Sequence, residues 1–186
     1  MNNISAQIDE FGKTLQIRTV SLPKPNPHEI QVKIHYAGIN FYEILFIKGT
    51  YSTKTTLPCT VGGELSGEVI AVGSKIKEFK KGDRVFSFAQ TGKGTTGSYA
   101  TYANINEKYL YHLPSSFTYE QGAAFPMIFF TAYTMLTKKL SINPRATILV
   151  HSGAGGVGGT LIQLTKTLYP HVTVLSTCSQ KKKEKI

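Results

Sequence analysis

The chain has 186 residues, 41% of them apolar, and its 21 lysines and arginines against 11 acidic residues give a formal charge of +10. This size allows a buried core in one or two domains. No run approaches the roughly 20 apolar residues of a membrane helix, and only two cysteines, Cys59 and Cys178, are present, which suggests neither a disulfide framework nor a cysteine-based zinc site. We therefore expect a cytoplasmic protein with no membrane partner.

Part of the positive charge is concentrated in residues 181–185, "KKKEK". A uniformly basic face would indicate nucleic-acid binding, but most other basic residues stand singly, as Lys13, Lys33 and Lys54 do. A solvated basic segment is the favoured interpretation, and anion binding by some of these lysines is the alternative. Nucleic acid is not expected as a partner.

The first part of the chain has the pattern of a β-rich domain. Residues 15–23, "LQIRTVSLP", and 29–40, "EIQVKIHYAGIN", alternate apolar and polar residues and flank a proline-rich turn. Further strands are predicted within residues 64–76, 82–89, 97–106 and 109–114. Short strands separated by glycine and proline are typical of a barrel or a sandwich.

Beyond this part the pattern becomes that of an α/β domain. An apolar stretch of helical length is interrupted by Pro126, which predicts two helical pieces. Residues 147–153, "TILVHSG", predict a buried parallel strand, and residues 159–169 have the leucine spacing of a helix. Residues 172–177, "VTVLST", predict a second buried strand. Strand, glycine-rich turn, helix and strand form a βαβ unit, which requires a parallel sheet.

The turn between the first of these strands and the helix holds five glycines in seven positions, and it fits G-x-G-x-x-G. In this context the motif predicts dinucleotide binding: Gly153 permits the tight turn, Gly155 admits a pyrophosphate, and Gly158 lets the helix approach the strand. Free N–H groups and the helix dipole attract the phosphates. A plain tight turn is the alternative. The predicted cofactor-binding residues of the turn are Gly153, Ala154, Gly155, Gly156, Val157 and Gly158.

The residues after the second strand, "STCSQKKK" at 176–183, predict which dinucleotide binds. An acidic residue there would hold the ribose 2′-hydroxyl of NAD, whereas a cation accommodates the 2′-phosphate of NADP. The segment contains no carboxylate. Ser179 can donate a hydrogen bond, and Lys183 or its neighbour Lys182 can supply charge, so NADPH is favoured. A solvated loop is the alternative for these lysines.

Taken together, six stretches resemble the medium-chain dehydrogenase/reductase superfamily, and within it the zinc-free quinone oxidoreductases related to zeta-crystallin. These stretches are residues 37–51, 62–86, 97–102, 113–126, 131–136 and 148–159. The resemblance implies an α/β protein with a β-rich domain: a GroES-like β-barrel over residues 1–117, then the beginning of a Rossmann domain over residues 118–186. It also implies an active site in a cleft between the two.

Two departures from zinc-dependent members of the superfamily predict that no metal is bound. Those members have cysteine where this chain has Asn40, and Gly-His-Glu where it has Gly62-Gly63-Glu64. Without a metal to polarise an alcohol, the resemblance favours reduction of a conjugated carbonyl by hydride from NADPH. The protein then mainly orients the ring and excludes water.

The resemblance also assigns site residues. Asn40 is placed near the nicotinamide and the substrate, Tyr51 lines the cleft as a donor to the acceptor oxygen, and Thr131 contacts the nicotinamide region. Each has a plainer alternative: a turn residue, a rim aromatic, and a helix residue bonded to its own backbone. Glu64 is expected to be a structural carboxylate. Residues 45–47 are Leu-Phe-Ile where the family usually has Tyr-Ile-Arg, which leaves the substrate preference open.

Family members are longer, so we expect this chain to be an N-terminal portion with poor NADPH affinity and turnover by itself. The predicted function is that of an NADPH-dependent, zinc-independent oxidoreductase acting on quinones or α,β-unsaturated carbonyls, homodimeric at full length. The alternatives are an enoyl-thioester reductase and a non-catalytic, truncated binding protein.

Overall fold

The computed structural model describes residues 2–51, 55–88 and 97–185. The chain forms two compact units, Met1–Met127 and Ile128–Ile186. Residues 118–127, assigned above to the second domain, lie in the first unit, and the domain limits 1–117 and 118–186 stay predictions. Among the described residues, no helix combines the length and the apolar character needed to cross a bilayer.

The first unit is built mainly from eight strands. They are β1 (Asn2–Ile8), β2 (Gln16–Ser21), β3 (Glu29–Ala37), β4 (Cys59–Thr60), β5 (Glu64–Val72), β6 (Arg84–Phe88), β7 (Tyr102–Asn106) and β8 (Leu110–His112). Five of them form an antiparallel sheet in the order β7-β3-β5-β6-β8, and the other three form a sheet in the order β2-β1-β4. The described part of the unit also contains α1 (Phe41–Ile47), between β3 and β4, a 3-10 helix (Glu107–Tyr109) and α2 (Tyr119–Ala124).

The core of this unit lies against the five-stranded sheet. Its fully buried apolar side chains stand at alternate positions along the strands, and some polar residues between them, such as Gln31 and Ser66, are buried as well. The apolar side chains include Ile30, Val32, Leu65, Val69, Val85 and Ile105. The β-rich prediction for this part of the chain is therefore confirmed.

A helix begins at the end of the first unit and continues into the second. It is α3 (Pro126–Thr134), and a π-helical turn (Met135–Lys139) follows it. Since α2 ends at Ala124, the predicted break at Pro126 is confirmed. The proline occupies the first position of α3, where it removes no hydrogen bond that a helix makes.

The second unit contains the predicted βαβ arrangement. Strands β9 (Thr147–Val150) and β10 (Thr173–Ser176) pair in parallel, and α4 (Gly156–Leu168) connects them. The helix begins three residues earlier than predicted, inside the glycine-rich turn, and it ends before Pro170 as expected.

The prediction that β9 and β10 are buried strands is wrong for one face of this sheet. Leu149 and Leu175 are paired neighbours, and they are 54% and 53% exposed, whereas Val150 is 5% exposed. Successive residues of a strand point to opposite faces. The β9–β10 sheet therefore has one face that the described residues do not cover fully, although the apolar sequence of its strands is typical of a sheet covered on both faces.

Candidate functional site

Asn40 lies immediately before α1, in extended backbone with φ −118° and ψ 160°. The buried Glu43 accepts a hydrogen bond from the Asn40 backbone N at 2.5 Å, and through its other oxygen it accepts one from the Gly63 backbone N at 3.1 Å. The Asn40 side-chain oxygen faces the backbone N–H of Glu43 in the reciprocal arrangement of a capping box, without reaching full hydrogen-bond geometry. Through these two hydrogen bonds Glu43 connects the start of α1 to Gly63, the residue before β5.

Glu64, the first residue of β5, has a partner for each carboxylate oxygen. Oε1 accepts a hydrogen bond from Nδ2 of Asn40 at 2.7 Å, and Oε2 accepts one from the backbone N of Met127 at 2.8 Å. Met127 is in the first turn of α3, where backbone N–H groups lack helical partners and favour negative charge. Glu64 therefore links Asn40 to the start of a second helix.

Burial dominates the electrostatics of this carboxylate pair, Glu43 and Glu64. Their exposed fractions are 1% and 2%. Burial raises the pKa of each carboxyl above its ordinary value, and the hydrogen bonds that each accepts counteract this rise. Burial also raises the pKa of Tyr99, and the charges of both carboxylates raise it further. The site consequently holds two acids whose protonation depends on donors supplied by neighbouring backbone and side chains.

Two glycines make the arrangement sterically possible. A Cβ at Gly38 would lie 2.2 Å from Oε1 of Glu64 and 2.5 Å from the Ala123 carbonyl oxygen. A Cβ at Gly63 would lie 1.6 Å from the Tyr42 hydroxyl oxygen. Tyr42 therefore occupies the space that a histidine at position 63 would need. Within the described ranges, no group of three or more His, Cys, Asp and Glu side chains is arranged so that it could hold a metal ion.

Tyr51 reaches this region through a ring contact. Its ring centroid is 5.3 Å from that of Tyr42 at an interplanar angle of 49°, and Tyr51 is 44% exposed. The first unit thus gathers Asn40 with Glu43 and Glu64, and Tyr42 with Tyr51. The sequence interpretation missed Glu43, although the spacing Asn-x-x-Glu at 40–43 is that of a capping box and could have revealed it.

The glycine turn, residues 153–159, forms the candidate site of the second unit. A Cβ at Gly153 would lie 1.9 Å from the Ser176 hydroxyl oxygen, and one at Gly158 would lie 2.3 Å from the Ser152 carbonyl oxygen. At Gly155 the nearest atom, that same Ser152 oxygen, is 3.2 Å away. The packing is much closer at Gly153 and Gly158 than at Gly155, which is the division of roles expected of a pyrophosphate turn.

The end of β10 is tied to this turn by backbone hydrogen bonds. Gly153 N donates to the Thr177 carbonyl oxygen at 3.0 Å, and Thr177 N donates to the Val150 carbonyl oxygen at 3.0 Å. Ser179 follows two residues later, and its carbonyl oxygen accepts from Lys182 N at 2.8 Å. Since the side chains of Ser179 and Lys183 are exposed, their roles toward a 2′-phosphate stay predictions.

Thr131 lies in α3 with its side chain half-buried. The start of α4 approaches the same helix, since a Cβ at Gly156 would lie 3.0 Å from Cγ2 of Ile128. The structure thus keeps Thr131 on a helix that contacts the glycine turn, and its contact with the nicotinamide stays a prediction.

Comparison with known proteins places these features in a family. The model of the alcohol dehydrogenase GroES-like domain matches residues 26–115. Human quinone oxidoreductase is 35% identical over 185 residues, which are 98% of this chain and 54% of that protein. The mouse synaptic vesicle membrane protein VAT-1 homolog-like is 33% identical over 172 residues, 92% of this chain and 40% of the relative. The chain spans about half the length of the curated relatives it matches.

Solved structures agree with this result. The human VAT-1 homolog-like protein superposes with a TM-score of 0.89 at 31% identity, covering 99% of this chain and 58% of the other. The quinone oxidoreductase of Escherichia coli, solved in complex with NADPH, gives a TM-score of 0.86 at 31% identity, covering 100% and 55%. The predicted fold class, a GroES-like domain followed by the beginning of a Rossmann domain, is confirmed.

Proposed function

Because the chain belongs to the quinone oxidoreductase family of the medium-chain dehydrogenase/reductase superfamily, we propose that its protein transfers a hydride from NADPH to a quinone or an α,β-unsaturated carbonyl. The observation that carries this proposal is the glycine turn, which is closely packed at Gly153 and Gly158 and less closely packed at Gly155. An Escherichia coli relative of this fold binds NADPH. Substrate, cofactor and turnover of the whole protein are part of the proposal.

The residues of the second unit fit such a cofactor. The backbone N–H groups at the start of α4 point toward the N-terminal end of the helix, where its dipole favours phosphate. Ser179 and Lys183 are placed after β10, where this fold distinguishes the two dinucleotides. Thr131 would contact the nicotinamide end. NADPH, when bound, supplies the hydride, and these residues bind and orient it.

The first unit would handle the acceptor without zinc. Asn40 stands where zinc-dependent members have a cysteine, and its amide already donates to Glu64. Tyr42 fills the space that a ligating histidine would need at position 63. Tyr51, which is 44% exposed, can donate a hydrogen bond to an acceptor oxygen. A delocalised quinone or enone requires orientation and exclusion of water rather than a Lewis acid.

Thermal unfolding with NADPH, with NADH and without either tests the cofactor assignment. It should be carried out on this chain and on the full-length protein, meaning the chain with any sequence that accompanies it in its gene. We expect NADPH alone to stabilise the full-length protein, because a ligand bound only by the native state raises its stability. Human quinone oxidoreductase serves as the positive control, and a full-length protein that responds to neither dinucleotide would contradict the proposal.

An enoyl-thioester reductase is the second candidate, and one observation favours it. An open groove of about 610 Å³ is lined by Lys24, Lys33 and Lys81 together with Ile70 and Tyr102, a combination suited to the phosphates and chain of an acyl thioester. CurK enoyl reductase, at 22% identity, shares the fold. This candidate would be favoured if the protein oxidised NADPH faster with an enoyl thioester than with a quinone. The substitution Lys33→Glu should then lower the rate with the thioester.

Homodimerisation and a cytoplasmic location also remain proposals. Light scattering of the full-length protein tests the first, and fractionation of cells that express it tests the second.

A further inference from the structure

The Asn40 amide has a polar neighbour at each of its ends. Its nitrogen donates to Glu64 at 2.7 Å, and its oxygen faces the backbone N–H of Glu43 at the start of α1. An ionised carboxylate only accepts hydrogen bonds, and a backbone N–H only donates. Turning the amide over would set its oxygen against the carboxylate and its NH₂ group against the backbone N–H. Both contacts would then be unfavourable.

Glu64 is itself tightly constrained. It is 2% exposed, and its second oxygen accepts from Met127 N at 2.8 Å. The absence of a side chain at Gly38 leaves room for the first oxygen. If the Glu64 carboxylate rotated away from Asn40, it would also lose the hydrogen bond from Met127 N. That backbone N–H of α3 would then be unsatisfied, so rotation is unfavourable.

We propose that Glu64 is a positioning residue that holds the Asn40 amide in one orientation, with the second N–H of Asn40 offered to a carbonyl oxygen. The inference rests on the proposed function, which places Asn40 beside the nicotinamide and the acceptor. Asn40 then acts as a hydrogen-bond donor. The carbonyl belongs either to the nicotinamide carboxamide or to the acceptor, and the two sources share this chemistry.

Two substitutions separate positioning from simple support of the fold. In Glu64→Gln the new amide can satisfy Met127 N only by setting its own NH₂ group against that of Asn40, so the Asn40 amide loses its fixed orientation. In the double variant Asn40→Asp with Glu64→Gln, the carboxylate introduced at position 40 accepts from the amide introduced at position 64 and faces the Glu43 N–H. The hydrogen bond between positions 40 and 64 is restored and the pair again carries one negative charge, but no side-chain N–H remains at position 40 to reach a carbonyl.

We expect kcat/KM of the full-length protein to fall at least about tenfold in Glu64→Gln, because misplacing a positioning group costs alignment. In the double variant the urea unfolding midpoint should return toward that of the wild type while kcat/KM stays low. Glu10→Gln, which changes an exposed carboxyl between β1 and β2, is the matched control and should leave both quantities unchanged. Recovery of kcat/KM together with stability in the double variant would overturn the proposal.

Kinetic and binding constants of Glu64→Gln show whether the carbonyl that Asn40 contacts belongs to the nicotinamide or to the acceptor. A weaker Kd for NADPH assigns it to the nicotinamide carboxamide, and a higher KM for quinone at unchanged NADPH affinity assigns it to the acceptor. Asn40 side-chain amide resonances, recorded by NMR on the ligand-free chain, are independent of function. If Glu64→Gln leaves them unmoved, the positioning role is wrong. If they move but the wild-type full-length protein does not bind NADPH, the proposed function is wrong.

Discussion

The two candidate sites are built in opposite ways. In the first unit, side chains distant in sequence form the site, with Glu64 joining Asn40 to Met127 through charged hydrogen bonds. In the second unit, neighbouring residues form the glycine turn, and missing Cβ atoms define its shape, as at Gly153 and Gly158. One site depends on which polar atoms are present, and the other depends on which atoms are absent.

This difference determines how each site should fail. A polar site loses function when a donor or acceptor is exchanged at constant volume, since partners are left unsatisfied. A site defined by close backbone packing fails when a single methyl group is added. The predictions below test whether the two sites separate in this way.

The largest effect is expected from Gly158→Ala. Its Cβ would lie 2.3 Å from the Ser152 carbonyl oxygen and 2.9 Å from Cα of Gly153. Both are backbone atoms that cannot move aside cheaply, so we expect a loss of about 3 kcal/mol in the free energy of unfolding. This outweighs the gain of about 1 kcal/mol from replacing glycine by alanine in a helix.

Urea unfolding measures this change, with Gly155→Ala as the matched control. The control adds the same methyl group at the residue that precedes α4, where the nearest atom is 3.2 Å away. Equal destabilisation by both substitutions would show that close packing at Gly158 does not shape the turn.

Gly38→Ala tests the close packing beside Glu64 in the first unit. Its Cβ would lie 2.2 Å from Oε1 of Glu64 and 2.5 Å from the Ala123 carbonyl oxygen. We expect a loss of about 2 kcal/mol in the free energy of unfolding, together with displaced Asn40 side-chain resonances. Gly12→Ala is the control: φ is +81° and no atom lies within 4 Å, so it costs about 1 kcal/mol from backbone strain alone. Unmoved Asn40 resonances in Gly38→Ala would contradict the geometry of the site.

Gly155→Ala should separate binding from stability. The added methyl group projects into the space proposed for the pyrophosphate. We expect the affinity of the full-length protein for NADPH to fall about tenfold, which is about 1.4 kcal/mol, while the unfolding free energy changes by about 1 kcal/mol or less. Titration calorimetry measures the affinity. An alanine variant that binds NADPH as tightly as the wild type would place the phosphates elsewhere.

The same difference explains how much of the molecule could be predicted from the sequence. The glycine turn was accessible because its requirements are local, and a strand, Gly153, Gly155, Gly158 and a helix follow one another in the chain. The link from Glu64 to Met127 joins residues 63 positions apart, and no spacing rule connects them. The exposure of Leu149 and Leu175 does not follow from the apolar runs themselves, because such a run does not reveal whether both faces of its sheet are covered.

The smallest effect concerns pH and the burial of Glu64. Burial raises the pKa of this carboxyl in the folded state, whereas in the unfolded chain it keeps its ordinary value of about 4.3. As the pH falls from neutral through the folded pKa, the native state therefore binds a proton that the unfolded state does not yet bind. By linkage, this contribution to the unfolding free energy grows until the pH reaches the unfolded value.

Glu64→Gln lacks this titration, so the stability of the wild type relative to that variant should increase between pH 7 and about 4.5. Taking the difference removes contributions common to both proteins, including the lowered pKa of Asp9 beside Arg18 and, to a first approximation, the raised pKa of Glu43. Urea unfolding at several pH values measures it. A difference that shrinks as the pH falls would mean that the donors Asn40 and Met127 outweigh burial, and that the carboxylate stabilises the fold as an anion.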